Sequence, residues 1–170
     1  NLKQLGLGFV QYTQDFDERL PDTAVNGPGY YYCSWVHGQS VPPAMNVQYG
    51  IYSYVKNTQI YLCPSDANAP TKLLSYSMNW YLSSSYYNAG TNGGVSLAQI
   101  NAPANTVLLV DEGNTLNDGN FNAGVNLDQP SFIHTGGANF CFCDGHVKWY
   151  MLGSSSIANT STPGTQPWYP

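Results

Sequence analysis

Charge is the scarcest thing in this sequence. Only 9% of its 170 residues are Asp, Glu, Lys or Arg, against about 25% in an average soluble protein. Five Lys plus Arg face ten Asp plus Glu, for a net charge of -5. No basic face is therefore available to neutralise a phosphate backbone, and nucleic acid is excluded as a partner. Long apolar runs are also missing, so no stretch of the sequence reads as a bilayer-spanning helix. Neither Gly-x-Ser-x-Gly nor His-Glu-x-x-His occurs, and the chain reads as non-enzymatic. The first residue is Asn1 and not Met, so an N-terminal segment able to carry a signal or membrane anchor is expected ahead of it.

What is abundant is aromatic and uncharged polar: 14 Tyr and 4 Trp among many Asn, Ser, Thr and Gln. That is enough apolar area for one core, and the length fits one domain of common size. A low-charge, aromatic-rich surface suits a secreted protein, or one covered by neighbouring copies. Four Cys beside few Lys fit an oxidising compartment.

The spacing of Leu2, Leu5, Phe9, Tyr12 and Phe16 predicts an N-terminal helix over residues 1–18 with one apolar stripe, stopped at Leu20-Pro21. The alternation of Tyr76, Met78 and Trp80 predicts a half-buried strand, and the run Thr106 to Val110 a central one. Between Asp111 and Asp128 lies a polar loop longer than most connections. Near the C-terminus, Asp144-Gly145 predicts a two-residue hairpin turn. That register puts Phe140, Phe142, Val147 and Trp149 on one face, to receive the helix, and Cys141, Cys143, His146 and Lys148 on the other. Residues 1–152 are expected to form the globular domain, and 153–170 an extended Ser/Thr/Pro-rich arm.

These residues resemble a known family. His134, nine intervening residues and Asp144-Gly145 are similar to the C-terminal signature of type II secretion pseudopilin-like, prepilin-type bacterial proteins with a His-x9-Asp-Gly C-terminal domain. Three further pieces agree in order and spacing across roughly residues 1–150: Asn1-Leu2-Lys3-Gln4-Leu5-Gly6-Leu7, Leu62-Cys63-Pro64-Ser65-Asp66 and Ser75-Tyr76-Ser77-Met78-Asn79. The resemblance implies a pilin-like α+β fold, with an amphipathic N-terminal helix packed on an antiparallel sheet. The apolar, membrane-anchoring first half of that helix would precede the sequence. It implies a non-enzymatic subunit of a pilus, pseudopilus or related surface filament that polymerises with copies of itself, in a bacterial extracellular or cell-surface setting. Cys141 and Cys143 stand where relatives carry plain apolar residues.

Several residues invite a chemical role. Cys141 and Cys143 sit about 7 Å apart on one strand face, too far for easy closure, so Cys33 and Cys63 are the expected disulfide partners, with the pairing open. Alternatives are a zinc site of Cys141, Cys143 and His146, or free buried thiols. Asp111, Glu112, Asp118 and Asp128 lie among Asn and Gly, hard oxygen donors that suit calcium, and the resemblance implies a calcium near the C-terminal strands. A solvated acidic loop is the other reading. His134 is expected to bond loop backbone beside Gly136-Gly137 and fix the strand entry, and Asp144 to occupy itself with its own turn. Aromatics in Gly29 to Trp35, Trp80 to Tyr87 and Trp168-Tyr169 offer sugar-stacking surfaces, so a secreted carbohydrate-binding or adhesive module that takes up polysaccharide or glycan is the alternative function. Asn159 begins the only Asn-x-Ser/Thr sequon.

Overall fold

The computed structural model describes residues 1–23, 34–36, 50–72, 74–83, 94–113, 119–123 and 128–151. Helix α1 spans Leu2–Asp15, with no acidic residue in its first turn and no basic one in its last. The macrodipole therefore gains nothing from side chains, and packing must hold the helix. Leu2, Leu5, Phe9 and Tyr12 are buried, each stabilising by about 1.5–3 kcal/mol. The fifth residue of the expected stripe departs from it. The helix ends at Phe16, which is 49% exposed and stacks its ring on Tyr12 at 4.1 Å. Asp17 and Glu18 then take left-handed φ values of 51° and 56°, turning the chain before Leu20-Pro21 is reached. Beyond that turn the chain is tied to residues 94–97 through Leu20 N–H to Val95 O and Leu97 N–H to Glu18 O.

Two short helices, α2 (Tyr52–Val55) and α3 (Ala69–Lys72), flank a 3-10 turn at Thr58–Tyr61. Five strands follow in sequence: β1 (Tyr76–Asn79), β2 (Val107–Asp111), β3 (Asn120–Phe121), β4 (Gly137–Phe142) and β5 (Val147–Met151). They form one sheet in the order β3-β1-β2-β4-β5. The apolar run at Val107 is thus its central strand, buried along its whole length. The fold is α+β, one N-terminal helix on a five-stranded sheet. The sheet is mixed and not purely antiparallel, because the two-residue β3 runs parallel to β1 while the other neighbours are antiparallel.

A second correction concerns the C-terminal hairpin. Cys141 pairs with Val147 and Phe140 with Lys148, one residue away from the register of a two-residue loop. Phe142 N–H donates to His146 O, Gly145 N–H to Phe142 O, and Gly145 has φ 84°. This is a three-residue loop whose last residue is left-handed, a bulged turn. A slip of one residue exchanges faces. Cys141 and Val147 therefore lie under α1, with Leu109, Met78 and Tyr76, whereas Phe140 and Phe142 pack on the opposite face with Val110, Phe121 and Tyr150. Trp149 is exposed.

Within β2 the register shifts between Val107 and Leu109, so Leu108 and Leu109 both join the helix-side core. Helix and sheet approach closely at Gly6, where an added Cβ would lie 2.8 Å from Cys141 Sγ. Among the described residues no helix is long and apolar enough to cross a membrane. The expected arm at 153–170, with Asn159, lies outside them.

Candidate functional site

Three side chains singled out in the sequence for three different reasons meet at one place. Asp111, the last residue of β2, is 1% exposed. Its Oδ2 accepts from Asn139 N–H at 2.8 Å and Asn139 Nδ2 at 3.0 Å, and lies 3.1 Å from His134 Nε2. Its Oδ1 is buried with no hydrogen-bond partner. Burial pushes this carboxyl above the ordinary range, opposed by the Asn139 N–H and by His134. Cys63, also buried, holds its Sγ 3.4 Å from the same His134 Nε2.

Local chain chemistry fixes each of the three. Cys63 follows the 3-10 turn and opens a Cys-Pro-Ser-Asp turn closed by Asp66 N–H to Cys63 O. Asp66 Oδ2 accepts from Ser75 Oγ, and Asn1 Nδ2 donates to Leu62 O, so this turn is bound to both β1 and the start of α1. His134 exchanges two backbone hydrogen bonds with Gly137. The intervening Thr135 and Gly136 have φ 56° and 77°, the doubly left-handed turn that suits a tight hairpin. Trp149 Nε1 donates to His134 O at 2.8 Å. Ser131 N–H donates to Asp111 O, carrying the chain from β2 to the histidine loop.

An open cavity of about 410 Å³ adjoins the cluster, lined by Cys63, Asp111, His134, Tyr76, Asn139 and the first residues of α1. Burial pushes the Tyr76 hydroxyl well up, with the Cys63 thiol and the Asp111 carboxyl beside it. Lys3 also reaches this cavity, but its Nζ donates to Gly145 O at 2.8 Å and so ties α1 to the hairpin turn.

The arrangement differs from a nucleophile relay. In a relay the imidazole takes a proton through one ring nitrogen while a carboxylate orients it through the other. Here a single nitrogen, Nε2, faces both the thiol and the carboxylate. Among the described residues, Cys63, Asp111 and His134 are the one group of three donors close enough to hold an ion, their ligand atoms all lying within 4.8 Å of one another.

His134 does bond the strand entry through its backbone, but its ring reaches Asp111 and not the Asp144 of the spacing motif. Asp144 accepts from His146 N–H at 3.0 Å and sits 2.6 Å from His146 Nδ1. Cys63, Cys141 and Cys143 are free thiols, and Cys33 lies outside the described residues. Burial pushes the Cys141 thiol up to about 12 and that of Cys143 well up.

Among the described residues, the carboxylates proposed for calcium form no group of three donors. Asp111 and Glu112 are consecutive and point to opposite faces, Glu112 toward the Ser77 hydroxyl. Asp128 accepts from Asn122 N–H at 2.6 Å, and Asp118 lies outside the described residues. Of the aromatics offered for sugar stacking, Trp35 is 1% exposed and donates from Nε1 to Gly119 O. Tyr81 is buried too.

In the sequence the convergence of Cys63, Asp111 and His134 is hidden, because each residue type suits another role there: disulfide partner, calcium ligand and loop anchor. The usable signal was Asp111 at the end of the central strand, beside the strand that His134 introduces. No protein-family model matches the chain, and no curated protein or solved structure matches it either.

Proposed function

We propose that this chain is a structural subunit of an extracellular or cell-surface filament of the pilus or pseudopilus kind, built by association of identical copies and without catalytic activity of its own. The observation that carries the reading is the outer side of α1. Its inner stripe is spent on the sheet, yet Leu7 is 51% and Val10 39% exposed on the same helix. Set among the exposed polar residues Lys3, Gln4, Gln11 and Gln14, these two apolar side chains offer a neighbouring copy a small apolar contact with a mostly uncharged polar surround. The low-charge composition and the resemblance of residues 1–150 to prepilin-type proteins support the same reading.

Replacing Leu7 and Val10 together by Asp tests it. Both side chains are exposed, so folding should change by no more than about 0.5 kcal/mol per site. The sedimentable, assembled fraction of the material should fall sharply while the circular dichroism spectrum stays unchanged. An unchanged assembled fraction would count against α1 as the contact. Specific retention of the monomer on a polysaccharide would favour the carbohydrate-binding alternative.

A further inference from the structure

The geometry points to a zinc-class divalent metal site formed by Cys63 Sγ, Asp111 Oδ2 and His134 Nε2, with the fourth position open to the adjoining cavity. It lies apart from the outer face of α1 and does not depend on how the subunit assembles.

Two of the three ligand separations match tetrahedral coordination, and the third, sulfur to carboxylate oxygen, lies within 4.8 Å. Zn–S near 2.3 Å and Zn–N or Zn–O near 2.0–2.1 Å at tetrahedral angles place sulfur and nitrogen roughly 3.6 Å apart, and nitrogen and oxygen roughly 3.3 Å apart. The corresponding separations here are 3.4 Å and 3.1 Å, so small adjustments would admit the ion. The convergence of thiol and carboxylate on one imidazole nitrogen, unsuited to a relay, is what a shared ion requires of its ligands.

The donor set selects the metal. A thiolate and an imidazole favour zinc among common divalent ions, whereas calcium and magnesium take oxygen. The thiol binds as thiolate and its proton passes to solvent. A supporting layer is already in place. Asn139 directs its backbone N–H and Nδ2 onto the ligating Asp111 oxygen, as outer partners of metal ligands do. The other oxygen, Oδ1, is buried and unpartnered, and is left to accept from a water or incoming donor at the fourth position. Three protein ligands with an open fourth site allow a neighbouring molecule to complete the coordination.

The test uses the full chain under reducing conditions, freed of metal with chelator. Titrated zinc should bind at one equivalent per chain, and cobalt should give a thiolate charge-transfer band. Cys63→Ser and Asp111→Asn should each weaken binding at least tenfold, with the fold checked by circular dichroism, while Cys143→Ser should not. A second readout needs no variant: zinc should slow alkylation of Cys63 at least tenfold and leave Cys143 unaffected, as mapped by mass spectrometry. No stoichiometric binding overturns the proposal, as does protection falling on Cys143, which would assign the metal to Cys141, Cys143 and His146. A Cys33–Cys63 disulfide in the protein as its host makes it overturns it too.

Discussion

Replacing Gly6 by Ala should destabilise this protein, although the same change in an exposed helix would stabilise it. In an open helix Gly→Ala gains about 1 kcal/mol from propensity. Here the new methyl would lie 2.8 Å from Cys141 Sγ, a fully buried thiol one residue from the end of β4 that would have to shift to admit it. Overpacking of that kind costs about 1–3 kcal/mol, so the net expectation is a loss of about 0–2 kcal/mol. Removing the obstacle should reverse the sign: in a Cys141→Ala background, Gly6→Ala should stabilise by about 1 kcal/mol. The coupling between the two sites is then about 1–3 kcal/mol. Urea unfolding of the four proteins under reducing conditions, followed by far-ultraviolet circular dichroism, measures it. If Gly6→Ala stabilises both backgrounds equally, the close packing of α1 on β4 described above is wrong.

Alkali should unfold the protein early. Burial raises the Cys141 thiol to about 12 from an ordinary 9.0, and pushes the Tyr61 and Tyr76 hydroxyls up as well. Groups raised by folding hold more protons in the native state. Their contribution is complete below the unfolded pKa and declines as pH rises toward the folded one, by about 1.4 kcal/mol per pH unit for each group. Denaturant midpoints should therefore fall steadily above about pH 9, and a flat profile from pH 9 to 11 would contradict the burial of these groups. Trp35→Ala should cost about 3–5 kcal/mol, since that side chain is enclosed between Phe9 and Tyr61 and bonded to Gly119 O. Thermal unfolding reads it, and a shift under about 4 °C would place Trp35 at the surface.

Periodicity in the sequence carried the helix and the central strand. Leu2, Leu5, Phe9 and Tyr12 recur at the helical period because one face must meet the sheet, and the apolar Val107 run can sit only where both faces are covered. It did not carry the hairpin register. Asp-Gly marks a turn, but whether the loop holds two residues or three depends on where the left-handed residue falls, and the sequence alone leaves that open. One residue of difference moved Phe140 and Phe142 away from the helix and put Cys141 beneath it. The site was legible as residues but not as a constellation. Cys63, Asp111 and His134 are separated by 48 and 23 positions in the chain; the adjacency of β2 and β4 joins the last two, and the bonds that tie the Cys63 turn to Ser75 and Asn1 bring in the first. The parallel pairing of β3 left no sequence signal, since two residues are too few for any period to show.

Imaging decides whether copies of this chain assemble into filaments. Electron microscopy of surface material from the host, labelled with an antibody to this chain, should show ordered filaments decorated along their length, and Leu7→Asp with Val10→Asp should abolish them. Label confined to dispersed single molecules, with a polysaccharide retained by the purified protein, would contradict the subunit reading.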